Sequence, residues 1–298
     1  MSTAIPVVDM CSGTGEFSAA LQTTIQAATV LVSLSDADSS SRAYLQGRFP
    51  AATIYAYCRC QDIPDAAVVA IGAPCQDLSY AGRRAGATAG SGTRSALIHD
   101  CIAAAIDARA LLIAAENVPG GYSTYQAIAD QLNRIGYRAA VVRGGAWEVG
   151  APHRRQRVML VATRRAWRLR PVRARRTAPP NGLIPTPTAS AHTGAGRHGR
   201  AGGMNLQTWA AVTDSPSPAT LLRAWQQVTC SAAPPHRDDR GRLNPAFAEW
   251  MMGLPPAETL SRTARIRLAG NAVVGRQAAL MLTRGLEQLD ATDRKGLS

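Results

Sequence analysis

Four side chains stand where their types and spacing could do chemistry. Cys75 follows Pro74 at the end of the apolar run "AAVVAIGAP". A thiol in that place is open to four readings: a packed core residue, half of a disulfide, a metal ligand, or a nucleophile acting as thiolate. Glu116 closes a second apolar run, "ALLIAAEN", and an acid there is expensive to bury unless it is hydrogen-bonded. In "APHRRQRVMLV", Arg155 and Arg157 are two residues apart as the chain enters a third apolar run. Period-two alternation predicts both on the same face. Each residue taken singly has a bland reading. Together they predict a thiol, a carboxyl and two guanidiniums converging at one edge.

The elements that must position them are legible as alternation. "IPVVDM", "TVLVSLSD", "AAVVAIGAP", "ALLIAAENV" and "RVMLVATR" read as strands, and their continuous apolar character suits a sheet covered on both faces. Between them "EFSAALQTTIQAA", "SSSRAYLQGRF", "SALIHDCIAAAIDARA" and "YQAIADQLNRIG" carry helical spacing. Strand–helix alternation over about 165 residues predicts an α/β, doubly wound domain. Beyond it the chain turns rich in Arg, Pro, Gly and Thr, and predicts a loop-rich, irregular module over about 166–245. "NPAFAEWMMGLP" then returns to a helix, and "LAGNAVVGRQAALMLTRGLEQL" to a turn and a long helix.

A second set of residues points to a nucleoside-type cofactor at the same edge. "VVDMCSGTGEFS" places Gly13 and Gly15 between a strand and a helix, where the backbone can approach a ligand closely. Asp36 ends the next strand at a distance that suits ribose hydroxyls, with Asp38 as the competing choice. Asp62 precedes the third strand. Three acids at successive strand ends are more informative than any one of them, because ligands bind at the carboxyl ends of such strands.

Composition narrows the partners. The 298 residues, 46% of them hydrophobic, are enough for one large domain or two smaller ones. No window holds the roughly 18 uninterrupted apolar residues of a membrane span. The N-terminus has no basic flank, so a cytoplasmic protein without a secretory signal is expected. Six cysteines are then expected to be reduced. Cys58-x-Cys60 lacks zinc spacing and no histidine pair lies near it, so no metal is expected. The net charge of +13 is uneven. Residues 1–150 carry ten basic and twelve acidic residues, a net of −2; residues 151–298 carry 23 and eight, a net of +15. All basic residues but Lys295 are arginine, which partly reflects a GC-rich coding background; the asymmetry still points to a polyanion partner.

The motifs "DMCSGTGEFS", "GAPCQDLSYAGRRAG", "ENVPGG", "APHRRQRV" and "GNAVV", in that order over nearly the whole chain, resemble those of the cytosine-5 DNA methyltransferases of compact bacterial or phage type. The chain departs from the usual pattern at Cys11, Ser12, Glu16, His153 and Gly275, and none of these removes a reacting group. The resemblance implies a Rossmann-like methyltransferase sheet formed by residues 1–165 plus 266–298, with a small target-recognition domain inserted over 166–265. It implies S-adenosylmethionine as cofactor, held by Asp9, Gly13, Gly15, Asp36, Asp62 and Asn271. Cys75 would be the nucleophile, positioned by Pro74 and Asn117, with Glu116, Arg155 and Arg157 assisting. Double-stranded DNA would be the partner. Its target base must leave the stack, under a glycine-rich lid carrying Arg83, Arg84 and Arg94, with Arg164, Arg165, Arg168 and Arg170 on the backbone. A monomer is expected, with a cognate restriction enzyme as a further partner. Three rival readings stay open: a non-catalytic DNA-binding relative, an RNA-directed enzyme, and transfer of a different group from a modified sulfonium cofactor.

Overall fold

A computed structural model describes residues 4–65, 67–74, 96–170, 172, 178–193, 204–213 and 219–296, without the side chains of residue 60 and residues 293–296. Two compact units divide the chain. The first takes Met1–Gly144, Gln156–Val172 and Ala278–Ser298; the second takes Gly145–Arg155 and Arg173–Gln277. The boundary expected at 165/166 thus falls inside the first unit, and that at 265/266 inside the second.

The first unit is built on a seven-stranded sheet. Its strands are β1 (Ile5–Met10), β2 (Thr29–Ser35), β3 (Thr53–Tyr55), β4 (Val68–Ile71), β5 (Leu112–Asn117), β6 (Arg138–Gly145) and β7 (Gln156–Thr163), in the order β3-β2-β1-β4-β5-β7-β6. β1 pairs in parallel with β2 and β4, β2 with β3, and β4 with β5, whereas β7 runs antiparallel to β5. β4 and the first four residues of β5 are fully buried, which is why their sequences are continuous apolar runs. Helices α1 (Glu16–Thr24), α2 (Ser39–Arg48), α3 (Leu97–Asp107) and α4 (Tyr122–Arg134) form the connections. α2 starts where Asp38 accepts the backbone N–H groups of Ser40 and Ser41, an N-cap set by residue type. Asp38, weighed above for the ribose, is therefore engaged in capping.

The order of the sheet reverses at β1. From there the chain moves outward to β2 and β3, then returns on the other side to β4 and β5. This is the switch point at which open α/β sheets bind ligands, outside the carboxyl ends of the strands. Met10 pairs with Ile71 at that end, and Gly72 N–H continues the ladder to the Met10 carbonyl at 2.9 Å.

The second unit is more regular than its composition predicts. It contains α5 (Leu206–Val212), α6 (Ala219–Thr229), α7 (Pro245–Met252) and α8 (Arg262–Asn271). The chain then enters α9 (Gly275–Gly296), most of which lies in the first unit. Trp225, Phe247, Trp250, Met251, Met252 and Ile266 make its apolar core. Trp225 Nε1 donates to the Trp250 carbonyl at 2.8 Å, and Arg265 pairs with buried Glu249 at 2.6 Å. Among the described residues no helix is long and apolar enough to cross a membrane.

Candidate active site

Two loops leave the sheet side by side at the switch point. The first follows β1, with Gly13 at φ 57° and Gly15 at φ 72°, the left-handed region that favours glycine. A Cβ on Gly15 would stand 2.4 Å from Cε2 of Phe49, so the loop closes on that ring only with glycine there. The loop is fastened across to the end of β2. Gly13 N–H donates to Asp36 Oδ2 at 2.9 Å, and the backbone N–H of Ser35 donates to Ser12 Oγ at 3.1 Å. Glu16, a departure from the family pattern, pairs with Arg48 at 2.6 Å, and the same guanidinium donates to the Thr14 carbonyl at 2.9 Å. The departure is thus compensated locally.

Asp9 lies beneath this loop with no exposed surface. Its Oδ2 accepts the Ser18 N–H at 3.3 Å, while Oδ1 has no hydrogen-bond partner. Burial pushes the carboxyl up to about 7, against the lowering effect of Ser18 and Ser12. Asp36 is half-buried and also pushed up by burial. Its Oδ1 accepts the Asp38 N–H at 2.8 Å. Asp62 is exposed, with Oδ2 accepting from the Tyr55 hydroxyl at 3.3 Å. Sequence gives no sign of Gln61, buried next to Asp62, whose side-chain amide donates to the Asp9 carbonyl at 3.2 Å and Ser33 Oγ at 2.9 Å. It ties the ends of β1 and β2 together.

The second loop begins at Gly72. A Cβ there would stand 2.7 Å from the Cys11 carbonyl oxygen, so only glycine lets the two loops run this close. Ala73 and Pro74 follow. Cys75, and with it Arg83, Arg84 and Arg94, lies outside the described residues.

Glu116 and Asn117 end β5 on the neighbouring strand. Asn117 is buried; its Nδ2 donates to the Ala73 carbonyl at 3.3 Å and its Oδ1 accepts the Val118 N–H at 2.8 Å. Antiparallel pairing sets Val158 opposite Asn117, which brings the adjacent Arg157 to Glu116. Nε of Arg157 is 2.7 Å from Glu116 Oε1. The N–H is not aligned for a hydrogen bond, so this is a close ion pair with both side chains largely buried. The Tyr125 hydroxyl donates to the Glu116 carbonyl at 3.1 Å and fixes the strand end from α4, a contact the sequence does not announce.

The alternation argument reaches Arg157 but not Arg155, because β7 begins at Gln156. Arg155 lies in the second unit, 5% exposed. Its guanidinium donates to the carbonyls of Pro187 at 3.4 Å, Gly270 at 3.3 Å and Ala272, and its own carbonyl accepts from Gln277 Nε2 at 2.7 Å. Asn271 is exposed at the end of α8 in that same unit. Arg165 and Arg168 are exposed on the first unit, Arg165 stacked over Trp167 at 4.7 Å.

Sheet order, with the glycine loop after β1 and the carboxylates at the strand ends, defines an α/β fold of the class built on the methyltransferase sheet. The family model for C-5 cytosine-specific DNA methylases matches residues 5–193, and the chain belongs to that family. It is a DNA cytosine methyltransferase. Among solved structures it is similar to a mutant of Spodoptera frugiperda DNMT2, at 14% identity and TM-score 0.58 over 94% of this chain and 99% of that one. It is also similar to S. pombe Dnmt2, at 13% and 0.59 over 96% and 99%. A third is a protein assigned as a DNA modification methyltransferase encoded within an E. coli prophage, at 17% and 0.57 over 96% and 99%. At these identities the likeness is one of fold. No curated protein matches the chain.

The family implies S-adenosylmethionine, and the residues present fit it. Gly13 has open space where a Cβ would stand, and half-buried Asp36 stands beside it at the end of β2. That pairing of open backbone with a carboxylate suits a ribose diol.

Proposed function

We propose that the chain methylates carbon 5 of a cytosine turned out of duplex DNA, through a covalent adduct on Cys75. The observation that carries this reading is the arrangement at the end of β5. Glu116 and Asn117 stand on β5, the strand next to the one that leads into Cys75; the Asn117 amide holds the carbonyl of Ala73, and Arg157 reaches Glu116 from β7 on the far side.

Carbon 5 of cytosine is a poor nucleophile. Addition of the Cys75 thiolate forms a bond from sulfur to carbon 6 and moves the ring's double-bond electrons toward carbon 5, which becomes enamine-like. Charge flows toward ring nitrogen 3, where Glu116, taking up a proton as the base enters, hydrogen-bonds to that nitrogen while its other oxygen reads the exocyclic amine. Arg157 holds Glu116 in place and offers its remaining N–H groups to the ring carbonyl oxygen. Pro74 and Asn117 are positioning residues, acting through the backbone that carries Cys75. Asp36, Gly13 and Gly15 hold the cofactor, Asp9 supports their loop from below, and Asp62 completes the contacts that the first unit offers. S-adenosylmethionine, when bound, supplies an electrophilic methyl group. After methyl transfer the proton on carbon 5 leaves to water and sulfur is expelled.

The second unit is the target-recognition module in this reading, and its 15 arginines against six acids, a net of +9, attract the DNA backbone. Arg83, Arg84 and Arg94 contact phosphates from the segment after Cys75, and Arg165 and Arg168 from the exposed end of the first unit.

Duplex DNA carrying 5-fluorocytosine tests the mechanism, because fluorine cannot leave carbon 5 as a proton does. With cofactor present, a protein–DNA species stable to SDS is expected, and Cys75→Ser must abolish it. Methylation of ordinary duplex DNA without any trapped species would overturn the covalent route. Transfer to RNA and not to DNA would overturn the choice of substrate.

A further inference from the structure

Three thiols that play no part in the reaction above converge under the glycine loop. Cys11 follows β1, Cys58 opens the short 3-10 turn between β3 and β4, and Cys101 lies in α3. The sulfurs of Cys58 and Cys101 are 3.8 Å apart, and all three lie within 4.8 Å of one another. Cys58 and Cys101 are buried in the main core of the first unit, and Cys11 packs against it half-buried. Cys11 also sits at φ 58°, in the left-handed region that a residue with a Cβ rarely adopts.

Sulfurs bound at about 2.3 Å to one zinc ion stand roughly 3.8–4.0 Å apart. The Cys58–Cys101 pair already meets that spacing, and the widest separation needs to close by less than about 1 Å. Soft thiolates in an apolar setting select soft, d10 cations over magnesium or calcium. A disulfide would use two of the sulfurs and leave the third without a purpose. Three protein ligands leave one tetrahedral position for water, which enters past Cys11, the least buried of the three.

We propose that Cys11, Cys58 and Cys101 form a site for a thiophilic divalent cation, zinc in the cell, that pins the glycine loop to α3 and to the turn before β4. The spacing of cysteines along the chain hides this site, because its ligands come from three separate elements and none belongs to a C-x-x-C pair.

Cadmium serves as a spectroscopic stand-in for zinc. Titrating the reduced full-length protein with Cd2+ under anaerobic conditions should produce an ultraviolet thiolate-to-cadmium charge-transfer band that saturates at one equivalent. Zn2+ should bleach it, and bound metal should raise the melting temperature. Cys75→Ser should keep the band in full, which separates this site from the reactive thiol. Cys11→Ala, chosen because Cys11 is the least buried, should weaken Cd2+ binding at least roughly tenfold, since loss of even an outer-shell partner costs about that much. Far-ultraviolet circular dichroism of the metal-free variant reports that it is folded. Absence of the band in wild type, its full retention in folded Cys11→Ala, or a Cys58–Cys101 disulfide in freshly isolated protein would overturn the proposal.

Discussion

The side-chain amide of Asn117 donates to the carbonyl of Ala73, across the two parallel strands β4 and β5. Ala73 stands two residues before Cys75, so the bond fixes the direction in which the chain leaves the sheet toward the thiol. Among the described residues the Asn117 side chain bonds the backbone of Ala73 and Val118, so it acts through backbone. Asn117→Ala should slow formation of the trapped 5-fluorocytosine complex by on the order of 100-fold, the effect of misplacing a reacting group by about 1 Å. Cofactor affinity, measured by calorimetry, should be nearly unchanged. Equal losses in both would assign Asn117 to general folding instead.

Gly72→Ala should destabilise the protein by roughly 1–3 kcal/mol, because the new Cβ meets a backbone oxygen that has no rotamer by which to move away. The displaced atom belongs to Cys11, at the head of the glycine loop. Cofactor affinity should therefore fall along with the melting temperature, in contrast to Asn117→Ala.

Asp9 predicts a pH dependence of stability with an unusual sign for a carboxylate. Its folded pKa, raised by burial to about 7, lies above the ordinary value of 3.8, so the folded state binds the proton more tightly than the unfolded chain. This group's contribution is complete below pH 3.8 and is lost as pH rises to about 7. The integrated loss is of order 4 kcal/mol. Urea unfolding of wild type and Asp9→Asn across pH 4–8 measures it: the difference in stability between the two should change across that window and level off above it.

Arg155→Lys should act on stability. A lysine ammonium cannot bridge the carbonyls of Pro187, Gly270 and Ala272 that the planar guanidinium reaches together. Leaving buried acceptors unmet costs about 1–3 kcal/mol, to be read as a lower unfolding midpoint. The rate at which iodoacetamide alkylates Cys75 at a fixed pH should stay within about twofold of wild type. A large drop in that rate would show that Arg155 stabilises the thiolate.

Arg165 and Arg168 are exposed on the first unit. Replacing both by alanine should weaken DNA binding about equally for all sequences and reduce the slope of log affinity against log salt by roughly 2, one per lost phosphate contact. Fluorescence anisotropy with two unrelated duplexes at several salt concentrations would show it.

Most of the sheet was legible because buried parallel strands must be apolar along their whole length, and β1, β2, β4, β5 and β7 are. β3 was not, being three residues at an edge, nor was β6, whose "RAAVVRGG" interrupts its apolar residues with arginine and glycine. α5 and α6 hid within an arginine- and proline-rich stretch whose composition masks their short apolar faces. Glu116, Asn117 and Arg157 were visible as polar residues at the ends of apolar runs. Arg155 was placed by alternation on a strand that starts one residue too late to contain it. The thiol cluster and Gln61 left no trace in local sequence, because what makes them notable is proximity across elements.

Gly270 packs so closely on the backbone of Thr188 and Ala189 that a Cβ would stand 2.1 Å from the Ala189 nitrogen, and Arg155 is clamped to the same segments. This sets the terms for transplanting specificity between relatives. A graft cut at residues 166 and 265 would sever Arg155 and Gly270 from the loop they hold. One that carries 145–155 together with 173–277 would move an intact body, with its own core and its own internal clamp.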